Sequence, residues 1–352
     1  MSNATPGFRS SQKEVIAFLS DPNSFRHKTD DHAVMETNQS MVFLWGRFAY
    51  KLFKAADTGI RDNTELANRF DNAKLEMKAN RRLAGELYLG ILPIVRTAKG
   101  TLAFGHKGDK RPVVDYVVRM RRFNQDDMFY NRLFNNKLTT QNAFDLGVAI
   151  GRFHSCQPLC DDKSLRGHDP FKASLVKTVL DRSQVLVGKT LPEAFYYELR
   201  SAALKAVEAN KGRLNQRTVK SYRTIHGDMD FGNIVLYKGE PMPFDAAVLH
   251  PSMRNADVMR DLAYVLAPLY MAGRADLVPY VLEGYTSIRQ DNDGLRLLHL
   301  WVGYAAVVRG RSWLYRAQTQ PRIKDRDLLL ERGRTFMKVG LAAFKGELPH
   351  LS

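Results

Sequence analysis

The period of the hydrophobic positions changes along this chain, and the changes divide it. Residues 10–20 set Val15, Ile16, Phe18 and Leu19 among polar neighbours behind Ser10 or Ser11, a cap and an apolar face that predict a short helix. From Ala33 the pattern becomes strand-like in three pieces, HAVMET, MVFLWG and RFAYKLFK, broken at NQS and at Gly46. Asp62 or Asn63 then caps a predicted helix over 64–85, with Leu66, Phe70, Ala73, Met77 and Leu83 at helical spacing. YLGILPIV and RPVVDYVVRM predict two more strands, joined by the Gly- and Lys-rich loop AKGTLAFGHKGDK.

Beyond residue 122 the pattern is helical. FNQDDMFYNRLFNNK, rich in Asn and Asp, reads as a connector. Helical periodicity then covers 140–155, 170–185, 192–212, 255–271, 276–290, 294–316 and 325–345. A strand pair, IVLYK and PMPF, interrupts it around Gly239-Glu240. The expectation is an α+β protein with a sheet-rich N-lobe over 1–122 and a larger helical C-lobe over 123–352.

Composition narrows the class without naming a function. The chain has 352 residues, 44% hydrophobic and 26% charged, which fits a globular protein and excludes disordered, collagen-like and coiled-coil classes. Two cysteines, Cys156 and Cys160, cannot build a disulfide framework. The opening MSNATPGFRSSQ has no apolar signal core and no run reaches the ~18 apolar residues of a membrane span, so a cytoplasmic protein without a membrane partner is expected. Charge adds a constraint: 53 Lys and Arg against 37 Asp and Glu give +16, which favours anionic partners. The excess is dispersed, the pattern of a solvated basic face and not of a nucleic-acid track.

The chemistry concentrates in HGDMDFGNIVLYKGEPMPFDAAVLHP, residues 226–251. Phosphoryl transfer needs a carboxylate that orients or deprotonates the attacking hydroxyl, and oxygen ligands that hold magnesium against nucleotide phosphates. An Asp-x4-Asn loop followed by a strand pair ending in Asp supplies both. Asp228 is the candidate base, and Asn233 and Asp245 are the candidate metal ligands.

This stretch resembles the catalytic core of the aminoglycoside phosphotransferase family, whose fold is protein-kinase-like. Asp261-Leu262-Ala263 stands where that family carries Asp-Leu-Ala on the next helix, and LGVAIGRFHS, residues 146–155, is similar to its helix ending in Phe/Leu-His. YKLFK at 50–54 and KANRRLAGELYLGILPI at 78–94 are similar to the kinase-like half of bacterial proteins that join such a domain to a P-loop ATPase. The resemblance implies an ATP- and magnesium-dependent phosphotransferase acting on a hydroxyl of a small molecule. It further implies that Lys51 contacts nucleotide phosphates and that a helical glutamate, Glu76 or its rival Glu65, pairs with it. ETNQS, residues 36–40, takes the position of the loop over the phosphates, without a Gly-rich signature. Asp261 is implied to brace the catalytic loop through backbone hydrogen bonds, with His226 structural inside that loop; Asp230 receives no role.

Other motifs weigh less. Gly188-Lys189-Thr190 resembles the end of a P-loop, but Ser183 stands where that motif demands Gly, so the ATPase half is expected to be absent. His154, Cys156 and Cys160 lack a second cluster to complete a tetrahedral metal site. The alternation His226, Asp228, Asp230 could line a hydrolytic metal centre, but leaves Asn233, Asp245 and Lys51 unused. Trp301, Tyr304, Arg309, Trp313 and Arg316 interleave aromatics with bases at a spacing that reads as helix packing with one wet face. The rival functions are a catalytically silent kinase-like binding or regulatory module and, further off, a basic nucleic-acid-binding protein.

Overall fold

The computed structural model describes residues 10–25, 29, 31–37, 39–57, 62–160, 170–247, 255–320 and 324–351. The chain divides into two compact units: Met1–Gln125 with Pro243–His250, and Asp126–Met242 with Pro251–Ser352.

The first unit is a six-stranded antiparallel sheet flanked by two helices. Helix α1 (Ser10–Ser20) precedes strands β1 (His32–Glu36), β2 (Ser40–Trp45) and β3 (Phe48–Phe53). Helix α2 (Leu66–Asn80) follows, then β4 (Tyr88–Arg96), β5 (Leu102–Phe104) and β6 (Val113–Arg121). The order across the sheet is β1-β2-β3-β6-β4-β5. Alternation along β3 sorts its side chains: Phe48, Tyr50 and Leu52 pack with Val15 and Leu19 of α1, while Ala49, Lys51 and Phe53 take the opposite face. Trp45 closes the α1 side by donating its indole N–H to the Leu19 carbonyl at 2.9 Å. A second buried link joins α1 to β6 and α2: Asp115 accepts from Gln12 at 2.9 Å and from the Arg69 guanidinium at 2.9 Å.

Three expectations need correction here. The helix expected over 64–85 is Leu66–Asn80, and neither Asp62 nor Asn63 caps it: Asp62 instead accepts from the Thr64 amide and hydroxyl, closing a turn ahead of the N-cap residue Glu65. Its buried face is Arg69, Ala73, Glu76 and Asn80; of the expected apolar stripe only Ala73 lies on it, while Phe70 stacks on Tyr116 at 4.3 Å. The loop expected over 98–110 contains β5, an edge strand too short to show a period. Of the segment ETNQS, Asn38 lies outside the described residues.

The second unit is helical around an apolar core. It begins with α3 (Phe129–Phe134), inside the expected connector, and α4 (Thr140–Ser155), which opens on a capping box between Thr139 and Asn142. Next come α5 (Pro170–Ser174), a π-helical stretch Leu175–Leu180, α6 (Asp181–Ser183), α7 (Glu193–Ala209) and α8 (Lys211–Lys220). Strand β7 (Tyr222–Thr224) leads into the HGD loop, and β8 (Ile234–Tyr237) with β9 (Glu240–Pro243) forms the expected hairpin. Strand β10 (Asn255–Asp257) pairs antiparallel with β7, so residues 255–257 are not the helical turn expected there. The chain ends in α9 (Met259–Met271), α10 (Val278–Ile288), α11 (Asn292–Leu295), α12 (Leu298–Thr319) and α13 (Arg326–Lys345).

Two glycines set how closely α4 and α10 approach. A Cβ on Gly147 would sit 2.1 Å from the Val281 carbonyl oxygen, and one on Gly284 would sit 2.0 Å from that of Phe144. The helices therefore meet backbone to backbone, which no larger residue permits. Among the described residues no helix is long and apolar enough to cross a membrane.

Candidate active site

Lys51 reaches the α2 face of the sheet because β3 alternates, and the polar buried stripe of α2 meets it there. Its ammonium donates to Glu76 Oε1 at 2.9 Å and to Asp245 Oδ1 at 2.6 Å. Glu65 sits at the N-cap of the same helix, so Glu76 is the glutamate that pairs with Lys51. Burial alone would push the Lys51 pKa down, but the charges and hydrogen bonds of Asp245 and Glu76 outweigh it and hold the ammonium above its ordinary range. Tyr88 completes the group. Its hydroxyl lies 3.5 Å from Glu76 Oε1 and accepts the Asp245 amide at 3.2 Å, while burial and the two carboxylates push its pKa up.

Asp245 follows β9 and adopts φ +57°, a left-handed conformation that short polar side chains tolerate. Two side chains of the same unit fix it: Tyr88, as above, and Asn80, whose Oδ1 accepts the Ala246 amide at 2.9 Å. Strain at a position so determined by its surroundings is characteristic of functional loops.

In the second unit the HGD loop is anchored from beneath. Asp261, in the first turn of α9 and 1% exposed, accepts the His226 amide at 2.7 Å and the Gly227 amide at 2.9 Å. His154, at the end of α4, puts Nε2 3.3 Å from the same carboxylate and Nδ1 3.2 Å from the Tyr285 hydroxyl. Burial would raise the Asp261 pKa; His154, His226 and the Gly227 amide more than offset it and hold the carboxyl below its usual range. Gly227 turns the chain with φ +83°, which a side chain would strain. His226, fully buried, accepts the Asp228 amide on Nδ1 at 3.3 Å, a role internal to the loop.

Above this anchor, Asn233 donates from its amide nitrogen to the Asp228 carbonyl at 2.9 Å and to Asp228 Oδ2 at 3.0 Å. The opposite end of that amide, its oxygen, is the atom a hard cation would take. The other Asp228 oxygen, Oδ1, accepts Arg309 Nη2 at 2.7 Å, and Arg309 Nε lies 3.1 Å from Asp230 Oδ2. Asp230 Oδ1 caps the following 3-10 turn by accepting the Gly232 amide at 2.9 Å. Burial alone would push the Arg309 pKa down; Asp230 and Asp228 raise it instead, and the guanidinium lies 5.4 Å from the Tyr264 ring centre.

Arg309 is the site residue that sequence reasoning missed, since it was counted with the aromatics of α12 as packing with a wet face. The available signal was an arginine directly after an unbroken apolar run, LWVGYAAVV. The structure thus brings Lys51, Glu76 and Asp245 together in the first unit, and His226, Asp228, Asn233 and Asp261 together in the second. His154 serves Asp261, Cys156 and Cys160 are free thiols, and no cluster of three or more His, Cys, Asp or Glu suited to a metal occurs among the described residues.

No protein-family model matches the chain. Proteins of unknown character from Mycobacterium tuberculosis and Mycobacterium bovis are 25% identical over 296 residues, covering 79% of this chain. The chain spans about half the length of these curated relatives, 54%. Among solved structures, a choline/ethanolamine kinase family protein from Mesorhizobium loti matches with TM-score 0.54 at 15% identity, covering 96% of this chain and 99% of its own. An ethanolamine kinase from Plasmodium vivax gives TM-score 0.54 at 10% identity, covering 97% and 96%. The GDP complex of aminoglycoside 2'-phosphotransferase-IIIa gives 0.51 at 13%, covering 94% and 99%. The fold is protein-kinase-like, a sheet-rich unit and a helical unit of the kind these phosphotransferases share.

Proposed function

We propose that the protein is an ATP- and magnesium-dependent phosphotransferase acting on a hydroxyl of a small molecule. The observation that carries this reading is the buried Lys51 ammonium held at once by Glu76 and Asp245. A lysine so fixed is a positioned cation for nucleotide phosphates. The HGD loop supplies the acceptor side. Asn233 and Arg309 hold both oxygens of Asp228, whose side chain remains 45% exposed.

In the proposed reaction the acceptor oxygen attacks the γ-phosphorus, and the bond from that phosphorus to the β–γ bridging oxygen breaks. The acceptor proton passes to the Asp228 carboxylate, and ADP leaves with the electron pair. Magnesium, when bound, neutralises phosphate charge, and the oxygens of Asn233 and Asp245 are donors of the hard type it prefers. Asp261 acts by holding the backbone at His226 and Gly227, and so fixes where Asp228 begins.

Replacing Asp228 with Ala tests the reading. Transfer is expected to fall ~100- to 10,000-fold, as for loss of a positioned base, with nucleotide affinity nearly unchanged by calorimetry. Wild-type protein that binds no nucleotide with magnesium present would refute it. Binding without transfer to any hydroxyl compound would favour the silent module.

A further inference from the structure

Glu76 does more than pair with Lys51. Two side chains run from it to the backbone of the segment after β9, and all of these residues belong to the first unit. Tyr88, on β4, is one: its hydroxyl donates toward Glu76 Oε1 at 3.5 Å and accepts the Asp245 amide at 3.2 Å. Asn80, one turn beyond Glu76 on α2, is the other: its Nδ2 donates to the Glu76 carbonyl at 2.9 Å and its Oδ1 accepts the Ala246 amide at 2.9 Å. Two neighbouring amides of one segment are thus tied to one glutamate, through its carboxylate and through its carbonyl. Lys51 closes the ring, since its ammonium bonds both the Glu76 and the Asp245 carboxylates.

Packing alone does not call for these two polar groups. Tyr88, Asn80 and Glu76 are buried, and a Phe or a Leu would fill the first two positions without a hydroxyl or an amide to satisfy. The segment they hold, however, does not hold itself. Asp245 adopts φ +57°, a conformation that an L residue leaves readily unless its surroundings oppose it. Rotation of that backbone would carry the carboxylate with it. The geometry points to Tyr88 and Asn80 as positioning residues for Asp245: by accepting its amide and the next, they hold its carboxylate where it serves the magnesium of a nucleotide complex. The inference rests on reading Asp245 as a metal ligand, and deepens it by making the magnesium response depend on two buried, uncharged side chains.

The test pairs two measurements on the full chain in the wild type, Tyr88→Phe and Asn80→Leu: residue-resolved amide hydrogen exchange without ligand, and calorimetric titration of AMP-PNP with and without magnesium. Tyr88→Phe is expected to speed exchange at the Asp245 amide, and Asn80→Leu at the Ala246 amide, by ~10-fold or more, while the β4–β6 ladder keeps its protection. Each substitution is expected to shrink the gain in AMP-PNP affinity on adding magnesium ~3- to 10-fold, the scale of one hydrogen bond, with magnesium-free affinity within about 2-fold of wild type. In an Asp245→Asn background, Tyr88→Phe is expected to leave the magnesium gain unchanged, because both substitutions act through the same carboxylate. Tyr88→Phe keeps the buried ring and carries the test by itself where Asn80→Leu does not fold. An unchanged magnesium gain in folded Tyr88→Phe, an equal loss with and without magnesium, or a full Tyr88→Phe effect in the Asp245→Asn background overturns the inference and spares the phosphotransferase reading. A wild type whose AMP-PNP affinity is the same with and without magnesium refutes both.

Discussion

Replacing Asp261 with Asn changes a single atom type under the HGD loop. In the protein, Oδ2 accepts from the His226 amide and from His154 Nε2, and Oδ1 accepts from the Gly227 amide. The carboxamide has only one acceptor oxygen, so at least one buried donor faces an N–H group. Leaving one such donor unmet costs about 1–3 kcal/mol. Asp261→Ala removes all three acceptor contacts and is expected to cost about 3–5 kcal/mol, as for one partner of a buried charged pair. Because the folded carboxyl titrates below its unfolded value, its contribution is complete above the unfolded pKa of about 3.9 and is lost as pH falls through the lower folded value. Urea denaturation at neutral and acidic pH measures this. Asp261→Asn should lose stability at pH 7 and show a flatter acid limb than the wild type. The folded variant should bind nucleotide normally yet transfer phosphate ~100-fold more slowly, since small displacements of a reacting group are that costly. A neutral-pH loss under about 0.5 kcal/mol with normal turnover would refute the anchoring role, because surface substitutions without such contacts fall in that range.

Lys51→Met should destabilise the protein by about 3–5 kcal/mol in urea, since it strands the buried Glu76, and adding Glu76→Gln should recover part of the loss. Gly147→Ala should lower stability by at least about 1–3 kcal/mol by overpacking the α4–α10 contact, whereas Gly212→Ala, with open space around it in α8, should raise it by about 0.5–1 kcal/mol in the same assay. Burial lowers the His299 pKa in the folded state, so stability should decline as pH falls below the unfolded value of about 6.5, and His299→Gln should remove that slope in thermal melts. Arg309→Gln, which frees Asp228 Oδ1, should reduce the transfer rate while leaving AMP-PNP affinity unchanged by calorimetry.

How much was legible depended on whether a residue's neighbours in space were also its neighbours in sequence. The HGD-x4-N loop could be read because Asp228 and Asn233 bond across five residues, and the β8–β9 hairpin because its turn is local. β3 could be read because alternation survives in six residues. α2 misled because the face it buries is polar: Glu76 and Asn80 are there for Lys51 and Ala246, and hydrophobic periodicity cannot see that demand. The β7–β10 pair has three residues on each strand, brought together from 31 positions apart, and carries no period at all. Arg309 is 81 residues from Asp228, so nothing local to α12 announced its partner.

The return of Pro243–His250 to the first unit has a consequence for synthesis on the ribosome. When Gln125 has emerged, the sheet strands and α2 are all available, but the Asp245 carboxylate that faces Lys51 and the Ala246 amide that binds Asn80 do not yet exist. They arrive about 120 residues later, roughly 6–24 s at ordinary elongation rates. Throughout that interval Lys51 has only Glu76, and Asn80 Oδ1 lacks its backbone donor. The nascent first unit is therefore left with an incomplete polar interior, and its last native contacts are set by translation rather than by its own folding rate.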